Sequence, residues 1–116
     1  GEIMPLYESV IICRQDITKN QLDIIISEFK KNIENEKGKI LSEEYWGLKN
    51  LAYEINKNKK AHYTMLIIES HPDKIEEYER KLRLHEDVIR FMTIKIKTFD
   101  GKQSKMVETI EDGIKN

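Results

Sequence analysis

The order in which apolar residues switch between the strand interval of two and the helix interval of about 3.6 residues constrains this chain more than any other feature. Leu6 to Cys13 is a short apolar run whose β-branched Val10, Ile11 and Ile12 suit a largely buried strand. Thr18 and Gln21 then stand at capping-box spacing. Leu22, Ile25, Ile26, Phe29 and Ile33 follow at helical intervals, with Gly38 as the expected C-terminal stop. From Lys39 to Ile55 the pattern is strand-like: Ile40, Ser42, Glu44, Trp46 and Leu48 are expected on one face and Leu41, Glu43 and Tyr45 on the other, with a bulge or bend at Gly47. Asn56 to Lys60 predicts a polar, basic turn, after which Ala61 to Glu69 returns as an apolar strand and pairs back as a long antiparallel hairpin. Ser70-His71-Pro72-Asp73 predicts a helix start, with Ser70 able to cap, and Ile75, Tyr78 and Leu82 mark a buried stripe ending at about Leu84. Val88 to Phe99 closes the series as a strand in which Met92, Ile94 and Ile96 alternate with Thr93, Lys95 and Lys97, the second set solvated. Strand, helix, strand, strand, helix, strand is the order of an α+β, ferredoxin-like split β-α-β fold, with two helices on one face of a four-stranded antiparallel sheet.

With 116 residues, 39% of them hydrophobic, the chain fits one core that removes roughly 60 to 70% of its unfolded surface from water. Gly1-Glu2-Ile3 ahead of Met4 reads as a cloning remnant, residues 4–99 as the domain, and residues 100–116 as a flexible tail. Met106, Val107, Ile110 and Ile114 are too sparse there to build a core. The longest apolar runs, such as Val10 to Cys13 and Met65 to Ile68, fall far short of the ~20 residues that span a bilayer, so no membrane partner is expected. The N-terminus does not read as a secretory signal. A lone cysteine, Cys13, excludes an internal disulfide and an all-cysteine metal site and fits a reducing cytoplasm.

A net charge of −1 supplies no overall drive toward nucleic acid, so any such binding rests on local patches. Six basic residues, Arg80, Lys81, Arg83, Arg90, Lys95 and Lys97, stand against only Glu86 and Asp87, and His85 lies among them. Immediately before them, Glu69 to Glu79 carries five acids and one lysine. Lysine and arginine neutralise phosphates, and arginine's planar fork also suits bidentate contacts and stacking, which singles out Arg83 and Arg90. The same charges equally solvate a helix end and an exposed sheet face, and Lys57, Lys59 and Lys60 at the turn are open to the same two readings.

Catalytic chemistry finds little to stand on. Cys13 among apolar neighbours reads as core. His62, His71 and His85 lack the paired spacing of a zinc helix, Glu43 and Glu44 point to opposite strand faces, and no glycine-rich phosphate loop occurs. Neither a cofactor nor a small-molecule substrate is expected. Trp46, Tyr53 and Tyr63 suit base stacking, though strand aromatics more often pack across strands. RNA-recognition motifs share this topology, but Ala61-His62-Tyr63-Thr64-Met65 lacks their aromatic signature.

The segment Trp46-Gly47-Leu48-Lys49-Asn50-Leu51-Ala52-Tyr53-Glu54-Ile55-Asn56-Lys57, followed by Lys60-Ala61-His62-Tyr63, closely resembles the family of bacterial small-subunit ribosomal proteins numbered six. Tyr7-Glu8 and the stretch from Leu82 to Met92 agree with that family as well, and the likeness runs from Met4 to about Thr98. The resemblance implies a structural, non-catalytic protein that binds the central domain of small-subunit ribosomal RNA together with the ribosomal protein numbered eighteen. It also sets Arg83 and Arg90 at positions where the family faces RNA, which turns the basic stretch toward the binding reading. Where many members carry basic residues after the initiator, this chain has Pro5 and Leu6, and Glu54 stands in place of a common proline. The expected RNA-binding residues are therefore Arg83, Arg90, Arg80, Lys81, His85, Lys95 and Lys97, and the expected protein-partner surface is Trp46, Leu48 and Tyr53 on an open strand edge. The competing reading is a ferredoxin-like module that binds a small ligand or a protein alone, which a concave polar pocket between helices and sheet would favour.

Overall fold

Residues 4–101 are described by a computed structural model. Their elements are β1 (Leu6–Arg14), α1 (Lys19–Asn35), β2 (Lys39–Ile55), β3 (Asn58–Glu69), α2 (Pro72–Leu84) and β4 (Val88–Ile96). The sheet runs in the order β2-β3-β1-β4 with every neighbour antiparallel, so the expected split β-α-β architecture is the one observed. β1 and β3 are central and almost wholly buried, while β2 and β4 form the edges. The expectations for residues 1–3, and for the C-terminal segment from residue 102 on, lie outside the described residues.

Helix α1 starts as its sequence predicts. Gln21 donates its backbone N–H to Thr18 Oγ1 at 3.1 Å, and Thr18 returns its own N–H to Gln21 Oε1 at 2.8 Å, satisfying two donors that the first turn leaves without partners. Its end differs from expectation. Lys37, not Gly38, takes the left-handed conformation (φ 69°), and the N–H groups of Lys37 and Gly38 close back onto the carbonyls of Glu34 and Ile33. Gly38 is needed for space instead: a Cβ there would sit 2.8 Å from the Glu69 carbonyl oxygen and 2.7 Å from Ile33 Cγ2. A left-handed lysine carries a steric cost that glycine lacks, so Lys37→Gly is expected to raise stability by about 0.5–1 kcal/mol in thermal melts.

At the hairpin the turn is tighter than Asn56 to Lys60. Only Asn56 and Lys57 lie outside the strands, both with positive φ (48° and 67°), and Ile55 pairs with Asn58, as in a two-residue turn matched to strand twist. The buried Asn58 side chain donates to the Ile55 and Asn56 carbonyls and accepts the Gln15 N–H at 3.0 Å, tying the hairpin to the end of β1. For α2 the expected cap at Ser70 also moves. His71 is the N-cap, because Pro72 fills the first helical position; its side chain does not cap the helix, and buried Ser70 donates its hydroxyl to the His71 carbonyl at 3.1 Å.

Two apolar clusters sandwich the sheet. On the helix side, Ile11, Cys13, Leu66 and Ile68 pack against Leu22, Ile25, Ile26, Phe29 and Ile33 of α1 and Ile75, Tyr78 and Leu82 of α2. On the opposite side, where no described helix packs, Val10, Ile12, Ala61, Tyr63, Met65 and Ile67 form a second cluster bordered by half-buried Trp46, Leu51, Met92 and Ile96. Bulges decide which edge residues face which cluster. Breaks in register at Ile40/Ser42 and Tyr45/Gly47 put Ile40 on the helix side, Trp46 on the open side and Leu48 opposite helix-side His62, so the alternation expected along β2 does not hold throughout. Gly47, with φ 98°, sits at the second break, as its sequence position suggested. Along β4, unbroken register with Leu6 to Ile12 leaves Phe91 on the helix side and Met92, Ile94 and Ile96 opposite Val10, Glu8 and Leu6 on the open side, and a further break between Ile12 and Cys13 puts Val88 on the helix side and Ile89 on the open side.

Candidate RNA and partner surfaces

The basic residues expected to act together are distributed around one edge of the sheet. Arg83, at the end of α2, lays its guanidinium 5.6 Å from the centroid of the Phe91 ring on the helix side. Arg90 pairs with Ile12 on the open side, where its guanidinium sits 5.7 Å from the Tyr53 ring centroid and Nη1 donates to the Tyr53 hydroxyl at 3.1 Å. The two arginines thus flank β4 from opposite faces, each held by an aromatic ring. Lys95 lies opposite Tyr7 on the helix side, and Lys97 follows the strand. Both border a shallow recess with Met4, Pro5, Leu6 and Ile96 at the far end of β4.

The remaining expected RNA residues are engaged within the fold. Arg80 makes an exposed ion pair with Glu77 one turn earlier, which holds the Glu77 carboxyl below its ordinary range chiefly through the hydrogen bond. Lys81 donates to Asn32 Oδ1 at 3.2 Å, bracing α2 on α1. His85 Nδ1 accepts the Asp87 N–H at 3.1 Å and its ring lies 5.7 Å from Phe29, so it shapes the turn into β4. The acidic part of α2 reaches the opposite end of β1: the Tyr7 hydroxyl is pushed up first by burial and then by Glu79 and Glu76.

The expected partner residues do not share one patch. Trp46 borders the open-side cluster and Tyr53 reaches Arg90 over that same face, whereas Leu48, 47% exposed, lies on the helix side of the edge strand. The Tyr53–Arg90 contact joins residues 37 apart in sequence, and no local pattern announces it.

Groups that resemble catalytic machinery serve packing. Cys13 is fully buried in the helix-side core, its thiol pushed up to about 12 by burial and then by Asp87, far from a reactive thiolate at neutral pH. His62 is bound at both nitrogens, to the Tyr45 hydroxyl at 2.8 Å and the Ile17 carbonyl at 3.1 Å. Glu43 pairs with Lys30 of α1, while Glu44 is in register with open-side Met65. Among the described residues no three metal-binding side chains cluster, and no helix is long and apolar enough to cross a membrane.

A split β-α-β sheet with Cys13, His62 and His85 bound into packing and cations set along the β4 edge has the make-up of a structural binding protein. Residues 6–95 match the sequence profile described as Ribosomal protein S6. The chain is 48% identical over 101 residues to the small ribosomal subunit protein bS6 of Acidiphilium cryptum, covering 87% of this chain and 64% of that protein. It is 47% identical over 109 residues to bS6 of Granulibacter bethesdensis, covering 94% of this chain and 71% of that one. The crystal structure of 30S ribosomal protein S6 from Thermotoga maritima superimposes with a TM-score of 0.75 at 25% identity, covering 97% of this chain and 99% of that one. The chain belongs to the ribosomal protein S6 family: it is a structural, RNA-binding and non-catalytic component of the small ribosomal subunit, and its place is with the ribosome in the cytoplasm.

Proposed function

We propose that residues 4–99 form the ribosomal domain, that Arg83 and Arg90 carry its principal RNA contacts, and that the ribosomal protein numbered eighteen completes the binding unit on the central domain of the small-subunit RNA. The observation that carries the RNA assignment is the pair of ring-held guanidiniums on either side of the β4 edge. A guanidinium already fixed by an aromatic contact loses less side-chain freedom when a phosphate arrives, and a free edge strand lets RNA pass between the two. Lys95 and Lys97 extend the positive edge. Arg80, Lys81 and His85 contribute field more than contact, being bound within the fold. The protein partner is assigned to Trp46, Tyr53 and the β2 edge, with Leu48 at its helix-side margin.

The test is a salt-dependent titration on a central-domain RNA fragment, with and without the protein numbered eighteen. The expected result is tight binding only with that partner present, weakening steeply as salt rises. No binding in either case by folded protein would reject the assignment. A finer prediction concerns Tyr53. Tyr53→Phe removes the hydroxyl that accepts from Arg90 yet keeps the ring, and is expected to weaken RNA binding about threefold, whereas Tyr53→Ala, which releases Arg90 altogether, weakens it about tenfold. Equal affinity for all three proteins would show that Arg90 needs no positioning.

A further inference from the structure

We propose that the recess at the far end of β4 seats the chain's own residues 106–112, their acids on Lys95 and Lys97, and that RNA reaches those lysines only by displacing them. The masking rests on the assignment above of Lys95 and Lys97 to the RNA-facing edge; the docking stands on the recess itself.

The recess encloses about 500 Å³ between the start of β1 and the end of β4. Leu6 pairs with Ile96, and with Met4 and Pro5 these residues form a half-buried apolar floor, while Lys95 and Lys97 stand exposed at the rim. The other cations of the basic stretch are held within the fold, Arg80 by Glu77, Lys81 by Asn32, Arg83 by Phe91 and Arg90 by Tyr53. Among the described residues, none makes an ion pair or hydrogen bond with the side chain of Lys95 or Lys97. Two free cations around an apolar floor suit a ligand that is both acidic and apolar.

Residues 106–112 have that chemistry. Met106, Val107 and Ile110 supply apolar side chains, and Glu108, Glu111 and Asp112 supply negative charge, with no basic residue among them. The connection is long enough. Gly101 is four residues past Lys97 and so within about 14 Å of it, and the five residues from there to Met106 reach about 17 Å. Tethering sets an effective concentration on the order of millimolar, so even a weak contact is populated. RNA phosphates suit the two lysines but leave the floor of Met4, Pro5, Leu6 and Ile96 uncovered, whereas an acidic, apolar segment covers both.

The experiment uses the full chain. Cys13 is fully buried, so a nitroxide on Thr109→Cys labels that one position. The readouts are paramagnetic broadening of the Met4, Leu6 and Ile96 methyl signals and affinity for the central-domain RNA fragment with the protein partner present. Two sets of substitutions are compared, with melting curves confirming the fold: Glu108→Gln, Glu111→Gln and Asp112→Asn together, and Met106→Ser, Val107→Ser and Ile110→Ser together. The second set leaves the net charge untouched and so separates docking from a general electrostatic effect on RNA. Each set is expected to reduce the broadening and to tighten RNA binding by about threefold, as release of a weak tethered competitor requires. In a Lys95→Gln, Lys97→Gln background neither set should change RNA affinity. Broadening that both sets leave unchanged overturns the proposal, since a segment merely tethered nearby would behave that way. Broadening of an unlabelled copy by a labelled one makes the occupant a second copy's segment and also rejects it. Reduced broadening with unchanged RNA affinity upholds the docking and rejects both the masking and the assignment of Lys95 and Lys97 to RNA.

Discussion

Reversing both flanking arginines, Arg83→Glu together with Arg90→Glu, is expected to lower affinity for the central-domain RNA, measured with the partner present, by at least about a hundredfold. Each reversal removes a cation from a phosphate and introduces repulsion. The slope of log affinity against log salt should fall by about 0.7–0.9 for each phosphate no longer neutralised. The two side chains share no hydrogen-bond partner and stand on opposite faces of β4, so the single reversals should combine nearly additively. Folding should be little affected. Both groups lie at the surface, and each gives up a cation–π interaction worth roughly 0.5–1 kcal/mol at an exposed site. A double variant that melts normally and binds RNA as well as the unsubstituted protein would refute the edge-strand assignment. If only one single variant loses affinity, the RNA passes along one face of the edge and not around it.

Tyr78 is the position where a single change should cost most stability. Its side chain is fully buried between the helices and the sheet, its ring meets Phe29 edge-on at 6.0 Å, and its hydroxyl is 2.8 Å from Ser9 Oγ at the centre of β1. Tyr78→Ala leaves a cavity and should destabilise by about 3–5 kcal/mol, each kcal/mol lowering the melting temperature of a domain this size by roughly 4–8 °C. Tyr78→Phe keeps the packing and orphans the Ser9 hydroxyl, at about 1–3 kcal/mol. Adding Ser9→Ala removes the orphan, so the double variant should regain most of that loss. A double variant no more stable than Tyr78→Phe would mean the hydrogen bond is not what holds this pair together.

The same residue sets a pH dependence. Burial holds the Tyr78 hydroxyl well above the ordinary tyrosine range despite the opposing bond to Ser9, and burial raises Tyr7, Tyr45 and Tyr63 as well. A tyrosine with a raised folded pKa binds its proton more tightly in the native state. Its contribution is therefore complete below the unfolded value of about 10 and is lost as pH climbs through the folded one. Stability should fall steadily above about pH 10, less steeply in Tyr78→Phe, as denaturant melts at a series of alkaline pH values would show.

What could be read from residues alone was whatever is local. The Thr18–Gln21 box, the helical interval from Leu22 to Ile33 and the stripe of Ile75, Tyr78 and Leu82 are written within a few residues of one another. So is the apolar run of Ala61 to Glu69, and the order of these segments is enough to define a split β-α-β sheet. The excess of cations between Arg80 and Lys97 was equally plain, as were the sequence blocks that resemble the S6 family. Where a side chain points was not. A strand alternates with a period of two, so each bulge, at Ile40/Ser42, Tyr45/Gly47 and Ile12/Cys13, moves everything beyond it to the other face, and an inserted residue leaves almost no mark in an apolar pattern. That is why Leu48 separates from Trp46, and why Val88 joins the helix side while Ile89 borders the open-side cluster; the Met92, Ile94 and Ile96 row faces away from the helices because it runs in unbroken register with Val10, Glu8 and Leu6. Long-range partners were hidden for the related reason that tertiary packing, not sequence spacing, brings them together: Tyr53 onto Arg90, Ser9 onto Tyr78, and Leu6 beside Ile96 at the recess. The sequence by itself determined which segments form and in what order, because hydrogen-bonding period and capping act over a single turn or strand. Only the tertiary structure decided which cations flank the β4 edge and which apolar residues floor the recess at its far end, because those depend on register between strands far apart in the chain.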